Sequence, residues 1–199
     1  MSFTTVIAAF APAAAAENIV VNGSFEMYGG PGNSNLGLGL DGWTIDGPGG
    51  IDIVIPESGP GFYFAPADGQ VSLSLNWAAP SSVTQLLTTE PGRLYEVRFS
   101  MAAEIFGGPQ WRTMDVTWNG GIIGSPAFEY TGQGPEDMGW TEFVFFATAT
   151  GNDTLAFVST TPDNYGPALD LVSVTLVPSP ATLPLMAALG TRLVRRKRA

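Results

Sequence analysis

Asp170 is the residue whose position most needs a chemical explanation. It falls in phase with Val172, Val174 and Leu176, so alternation predicts an inward-facing carboxylate, which is costly to bury without a partner. Aromatic residues beside loop formers are the second set. Trp77, Trp111, Tyr130 and Tyr165 stand beside or near Asn, Gln and Gly residues. A pyranose offers apolar C–H faces and a rim of hydroxyls, so an aromatic platform with polar neighbours is sugar-binding chemistry. Lone loop aromatics are also common without any ligand, and no spacing singles one of these out. Trp43 and Trp140 each follow a Gly at the start of a strand pattern and read as core.

Carboxylate pairs are the third set. Glycoside cleavage needs two acids about 5 to 9.5 Å apart across a cleft. Eighteen acidic residues make some pair inevitable, and Glu96, Asp115 and Glu142 fall on polar strand faces where solvation is the default. The chain has no His and no Cys. That excludes Ser-His-Asp and Cys-His nucleophilic centres, disulfides, and zinc sites built on imidazole or thiolate.

The net charge of −10 is unevenly spread. Arg192, Arg195, Arg196, Lys197 and Arg198 hold five of the eight basic residues, leaving three to face eighteen acids in the rest of the chain. Such a body is repelled by phosphate backbones, so nucleic acid is excluded as a partner and neutral sugars or cations remain.

The elements that must position these residues are short. Gly 25 and Pro 16 in 199 residues punctuate the chain too often for long helices. Val71, Leu73 and Leu75 alternate with Ser72 and Ser74; Tyr95 to Met101 alternate with Glu96, Arg98 and Ser100; Met114, Val116 and Trp118 alternate with Thr113, Asp115 and Thr117. Each pattern predicts a strand with one wet face. Residues 51–55, 83–87, 140–147, 153–159 and 169–176 add further strands, with Asn22-Gly23, Asp41-Gly42, Asp68-Gly69, Pro91-Gly92 and Asn119-Gly120 as turns. About eight to ten strands in one domain predict an all-β, two-sheet antiparallel sandwich, most economically a jelly roll, with short helical or disordered terminal segments.

Several stretches, taken in order, carry a resemblance. They are Asn18 to Glu26 (NIVVNGSFE), Gly42-Trp43, Gly69 to Leu73, Val83-Thr84-Gln85, Tyr95 to Phe99, Gly139-Trp140 and Gly166 to Val174. Over residues 17–176 the chain resembles the domain-of-unknown-function family of plant cell-wall proteins and bacterial choice-of-anchor C proteins, with a galactose-binding-like fold. The resemblance implies a jelly roll and polysaccharide association. It also implies a structural calcium site in which an Asp opening the last strand joins the Asn-Gly-x-Phe-Glu segment, here Asp170 and Glu26. Calcium takes six to eight oxygens, so loop carbonyls, Asn22, Ser24 and Asp68 are further ligand candidates. The competing reading has Asp170 accepting backbone hydrogen bonds and Glu26 solvated.

The ends suggest traffic. Residues 1–16 are short, apolar and finish in small residues, as a secretory leader does, although no Lys or Arg precedes Arg93. Residues 177–199 run from a Pro-containing spacer through an apolar stretch to Arg195-Arg196-Lys197-Arg198. This resembles the PEP-CTERM sorting tail of Gram-negative bacteria, which implies processing by an exosortase-type enzyme. Ser179 stands where that motif has Glu, and Pro184 and Arg192 interrupt an apolar run too short to span a bilayer, so membrane contact is expected only in transit. The resulting expectation is a non-catalytic carbohydrate-binding or matrix protein, exported to the cell surface or extracellular matrix of a Gram-negative bacterium. A structural adhesin is the alternative, and a small glycan-active enzyme ranks below it.

Overall fold

The computed structural model describes residues 17–178. The expected leader (1–16) and, from residue 179, the expected tail lie outside the described residues. Thirteen strands occur among them: β1 (Tyr28–Pro31), β2 (Leu38–Leu40), β3 (Thr44–Asp46), β4 (Asp52–Val54), β5 (Ser72–Ser74), β6 (Ser82–Leu87), β7 (Leu94–Ala103), β8 (Trp111–Trp118), β9 (Gly121–Gly124), β10 (Ala127–Glu129), β11 (Thr141–Thr148), β12 (Asp153–Ser159) and β13 (Pro167–Leu176). This exceeds the eight to ten read from alternation. The additions β1, β2, β3, β9 and β10 have only three or four residues each, too few for a period of two to declare itself.

Two antiparallel sheets make the jelly-roll sandwich, one in the order β11-β7-β13-β5-β4 and the other β10-β8-β12-β6-β3, with β9 added on β8. Between them Phe99 of β7 meets Phe157 of β12 edge-on, ring centroids 4.9 Å apart. Trp43 continues the contact from Phe157 at 6.3 Å and Phe25 from Trp43 at 5.6 Å. The core therefore runs as a line of aromatic rings from one sheet to the other. Trp43 is buried as expected, whereas Trp140 is half-buried, its indole N–H donating to the Ala65 carbonyl at 2.9 Å.

Register shows how the five-stranded sheet sorts its residues. Met101, Leu169, Leu73 and Ile53 stand opposite one another across four strands and are fully buried in the core. One position on, Ala102, Ala168, Ser74 and Asp52 form the matching row on the outer face. The sequence predicts that Ser72 and Ser74 are wet. Both are fully buried, because loops descend on this outer face.

Asp170 is also fully buried, but the inward direction read from its phase is wrong. It pairs with Ser100 while Ser173 pairs with Arg98, so three steps on β13 match two on β7. This β-bulge, with Leu171 at φ 53, resets the alternation between Asp170 and Val174. Asp170 shares the outer face with Ser100, and Val172 and Val174 turn into the core.

The bulge is docked against the first segment of the domain, where the Val172 N–H donates to the Gly23 carbonyl at 2.9 Å. A methyl on Gly23 would overlap the Val172 carbonyl, while one on Gly29 would meet nothing. Gly23→Ala is expected to lower stability by about 2–3 kcal/mol through overpacking and the lost hydrogen bond, and Gly29→Ala to change it little. Urea unfolding followed by tryptophan fluorescence checks both.

Candidate functional site

Two constellations emerge on the outer side of the five-stranded sheet. The first surrounds residues 67–71. Asp170 Oδ2 accepts the amides of Ala67 and Asp68 at 2.8 and 3.0 Å, and Oδ1 accepts that of Leu171 at 2.7 Å. Glu26 Oε1 accepts the amides of Gln70 and Val71 at 2.7 and 3.0 Å. The Asn22 to Glu26 segment is folded to reach them. Asn22 and Phe25 lie at φ 55 and 58, the Asn22 side chain bonds both ways to the Met27 backbone, and Phe25 is plugged into the core. Two carboxylates thus clamp one loop from opposite ends of the chain.

Asp170 accepts backbone hydrogen bonds, from residues 67, 68 and 171, and Glu26 holds the loop instead of being merely solvated. Burial pushes the Asp170 carboxyl up to about 7, the neighbouring Asp68 charge adding to the rise against the amide hydrogen bonds. A buried carboxylate with no cationic partner is suitable chemistry for a hard cation. Among the described residues no three of His, Cys, Asp or Glu gather to hold a metal ion, so a calcium there would draw most of its ligands from loop carbonyls.

The second constellation is a cleft of about 370 Å³ lined by Asp52, Glu104, Phe62, Trp77, Phe106 and Tyr165, with Asn35 and Asn164 at its edges. Asp52 enters it from the outer row, whose other members Ser74, Ala168 and Ala102 are fully buried and small enough to let the loops approach. Glu104 is the next outer-facing position after Ala102; its N–H extends the ladder to the Gly166 carbonyl at 3.1 Å, and Ser74 donates to its Oε2 at 2.7 Å.

The walls are fixed by hydrogen bonds. Asn76 donates to the carbonyls of Thr161 and Asp163 at 3.1 and 2.6 Å, tying the 160–166 loop beside Trp77. The fully buried Arg112 donates to the carbonyls of Glu104, at 2.7 Å, and Gly107. Tyr165 lies against Gly107 so closely that a side chain there would collide with its ring.

Burial pushes Asp52 up to about 7. Glu104 rises to about 7 as well, mainly through burial, with Ser74 opposing and the Asp52 charge reinforcing the shift. Among the described residues no group donates a hydrogen bond to the Asp52 carboxylate, and Glu104 receives only the Ser74 hydroxyl. Neither Lys nor Arg lines the cleft.

Of the four aromatics chosen from sequence, the fold brings Trp77 and Tyr165 together in this cleft. Trp111, half exposed, opens β8, and Tyr130 follows β10 at the edge of the other sheet. Asp52, Glu104, Phe62 and Phe106 were missed. Asp52 does lie within the predicted strand 51–55, opposite in phase to Ile51 and Ile53, but only the fold shows that its outer face is covered.

A family model described as "Protein of unknown function (DUF642)" matches residues 18–175. No curated protein sequence matches the chain. Among solved structures, "Family 16 Carbohydrate Binding Module-2" superposes with a TM-score of 0.51 at 16% identity, covering 79% of this chain and 99% of that one. The N-terminal CBM22-1-CBM22-2 tandem domain of Paenibacillus barcinonensis Xyn10C gives 0.55 at 18% identity, over 89% of this chain and 50% of the tandem. A family 35 carbohydrate binding module from Clostridium thermocellum gives 0.48 at 20% identity, over 66% and 90%. At these identities the first two likenesses establish the sandwich fold.

The raised carboxyls set a pH dependence. Asp52, Glu104 and Asp170 bind protons more tightly folded than unfolded, so their contribution to stability is full below about pH 4 and is lost as pH rises through about 7. Asp153 has the opposite sign. Burial works against its ionisation, but hydrogen bonds from Thr150, Thr89 and Asn119 overcome it and hold the carboxyl well below the usual range, so acidification removes its contribution. The urea midpoint is expected to fall from about pH 5 to about pH 8, and the double variant Asp52→Asn, Glu104→Gln to flatten that fall.

Proposed function

The chain belongs to the DUF642 family of proteins of unknown function, and we propose that it is a carbohydrate-binding protein holding an extracellular polysaccharide in the cleft of Trp77 and Tyr165. The observation that carries this is the joining of exposed rings to the half-buried Asp52 and the buried Glu104 in one cleft. Trp77 and Phe62 are 46% and 74% exposed, apolar surface that a sugar face can cover. Asp52 and Glu104 offer acceptors to the hydroxyl rim. The fold is shared with the carbohydrate-binding modules named above, which is consistent with the reading and does not identify the ligand.

The wider proposal keeps the terminal features. The leader-like residues 1–16 and the PEP-CTERM-like residues 177–199 support export, exosortase processing and display at the surface or in the matrix of a Gram-negative cell, as in choice-of-anchor C proteins. A structural calcium at Glu26 and Asp170 belongs to it too, as the countercharge that the clamp lacks.

A glycan-active enzyme is the second reading, favoured by one observation: two carboxyls in one cleft, both raised to about 7, the range of a general acid. Binding ranks first because four aromatic rings line the cleft, the platform that a sugar face requires.

Calorimetry against a polysaccharide panel is expected to find a binder whose affinity falls at least about tenfold in Trp77→Ala, the loss of one stacking contact, while Trp111→Ala binds normally. Reducing-end assays on the same glycans are expected to stay flat. Product release abolished by Glu104→Gln would establish the enzyme, and silence across the panel would favour the adhesin. For the clamp, calcium is expected to raise the melting temperature and a chelator to reverse it, both effects vanishing in Asp170→Asn; an unchanged melting curve removes the metal.

A further inference from the structure

Resting on the cleft just described, we infer that the sugar unit seated there carries a free, protonated amine. The Asp52 carboxylate has no hydrogen-bond donor among the described residues, and Glu104, 8% exposed, has one neutral hydroxyl donor. Both are desolvated, and the Asp52 charge further opposes ionisation of Glu104. The Arg112 guanidinium, whose charge partly offsets that of Glu104, directs its Nη2 to the backbone carbonyls of Glu104 and Gly107, bonds neither carboxylate and does not line the cleft. What the two carboxylates lack is a donor that also carries positive charge.

A hydroxyl brings a donor without charge and leaves two desolvated anions facing one another. An ammonium brings three donors and the charge together. The rings point the same way, since Phe62, Trp77, Phe106 and Tyr165 present π-surfaces that attract a cation and have no charged competitor in the cleft. Asn35 and Asn164, also on the lining, are uncharged and donate to neither carboxylate, and Asn35 uses its Oδ1 to accept the Ile53 amide at 3.0 Å. The acidic balance of the chain outside its last eight residues draws cationic polymers toward the surface. The ligand class is therefore an amino-sugar polymer with unblocked nitrogen.

The test titrates the full chain with three pentasaccharides of matched linkage: β-1,4-glucosamine, its fully N-acetylated counterpart, and the glucose equivalent. The glucosamine oligomer is expected to bind at least about tenfold tighter than either neutral one and to weaken with added salt, as an ion pair does. Asp52→Asn with Glu104→Gln is expected to erase that preference, with circular dichroism confirming the fold. Because the ligand comparison uses the unaltered chain, it stands even if the variant fails to fold. Equal or tighter binding of the neutral oligomers, lost in Trp77→Ala, overturns the amine and leaves the cleft standing. Binding of the glucosamine oligomer that ignores both Trp77→Ala and the double variant overturns the amine at this cleft, as does no binding of any of the three.

Discussion

Around Ser74, Ala168, Ala102 and Asp170 the outer face of the five-stranded sheet is covered by loops, and a polar group trapped beneath them is costly unless it finds a partner. That constraint organises the molecule. Ala102, Ala168 and Ser74 keep the floor flat enough for the loops to settle. Glu104 takes the Ser74 hydroxyl, and Asp170 takes three amides and in doing so holds residues 67–71 in place. An unpaired buried acceptor costs on the order of 1–3 kcal/mol, so these bonds decide which loop conformations survive. Asp52 is left without a donor, as are the buried Ser72 hydroxyl and Asn76 Oδ1, and Asp52 is the one of the three that lines the cleft.

The clamp and the cleft are consequences of the same sheet. The bulge at Leu171 turns Asp170 outward to reach the 67–71 loop and leaves Val172 and Val174 in the core. Toward the other end of the same strand, Ala168 and the Gly166 carbonyl support the row that ends in Glu104. Stability and binding chemistry thus draw on one strand, with residues 67–71 tying it to the start of the domain through Glu26.

Much of the fold was legible in the sequence because long strands advertise their period. β7 and β8 alternate over ten and eight residues, and both were found. The strands β1, β2, β3, β9 and β10, of three or four residues each, were not. Asp170 was singled out correctly as buried, yet its direction was misread because a bulge adds one residue to the count without any local mark; nothing about a Leu announces the positive φ that residue 171 adopts. The site was half legible. Trp77 and Tyr165 could be named as loop aromatics, but Asp52 and Glu104 sit on what alternation marks as a solvated face, and only the loops that cover it turn them into buried acids. Covering by distant segments is information that periodicity does not contain.

The central claim is that sugar occupies the cleft over Trp77, between Asp52 and Glu104. The most direct measurement is a crystal structure of the domain soaked with the tightest-binding oligosaccharide found. The account requires a pyranose stacked on Trp77 with a donor group within hydrogen-bond reach of the Asp52 carboxylate. A sugar seated elsewhere, such as the groove beside Arg98, Ser100 and Ser173 on the same sheet, with the Trp77 cleft empty, would contradict it.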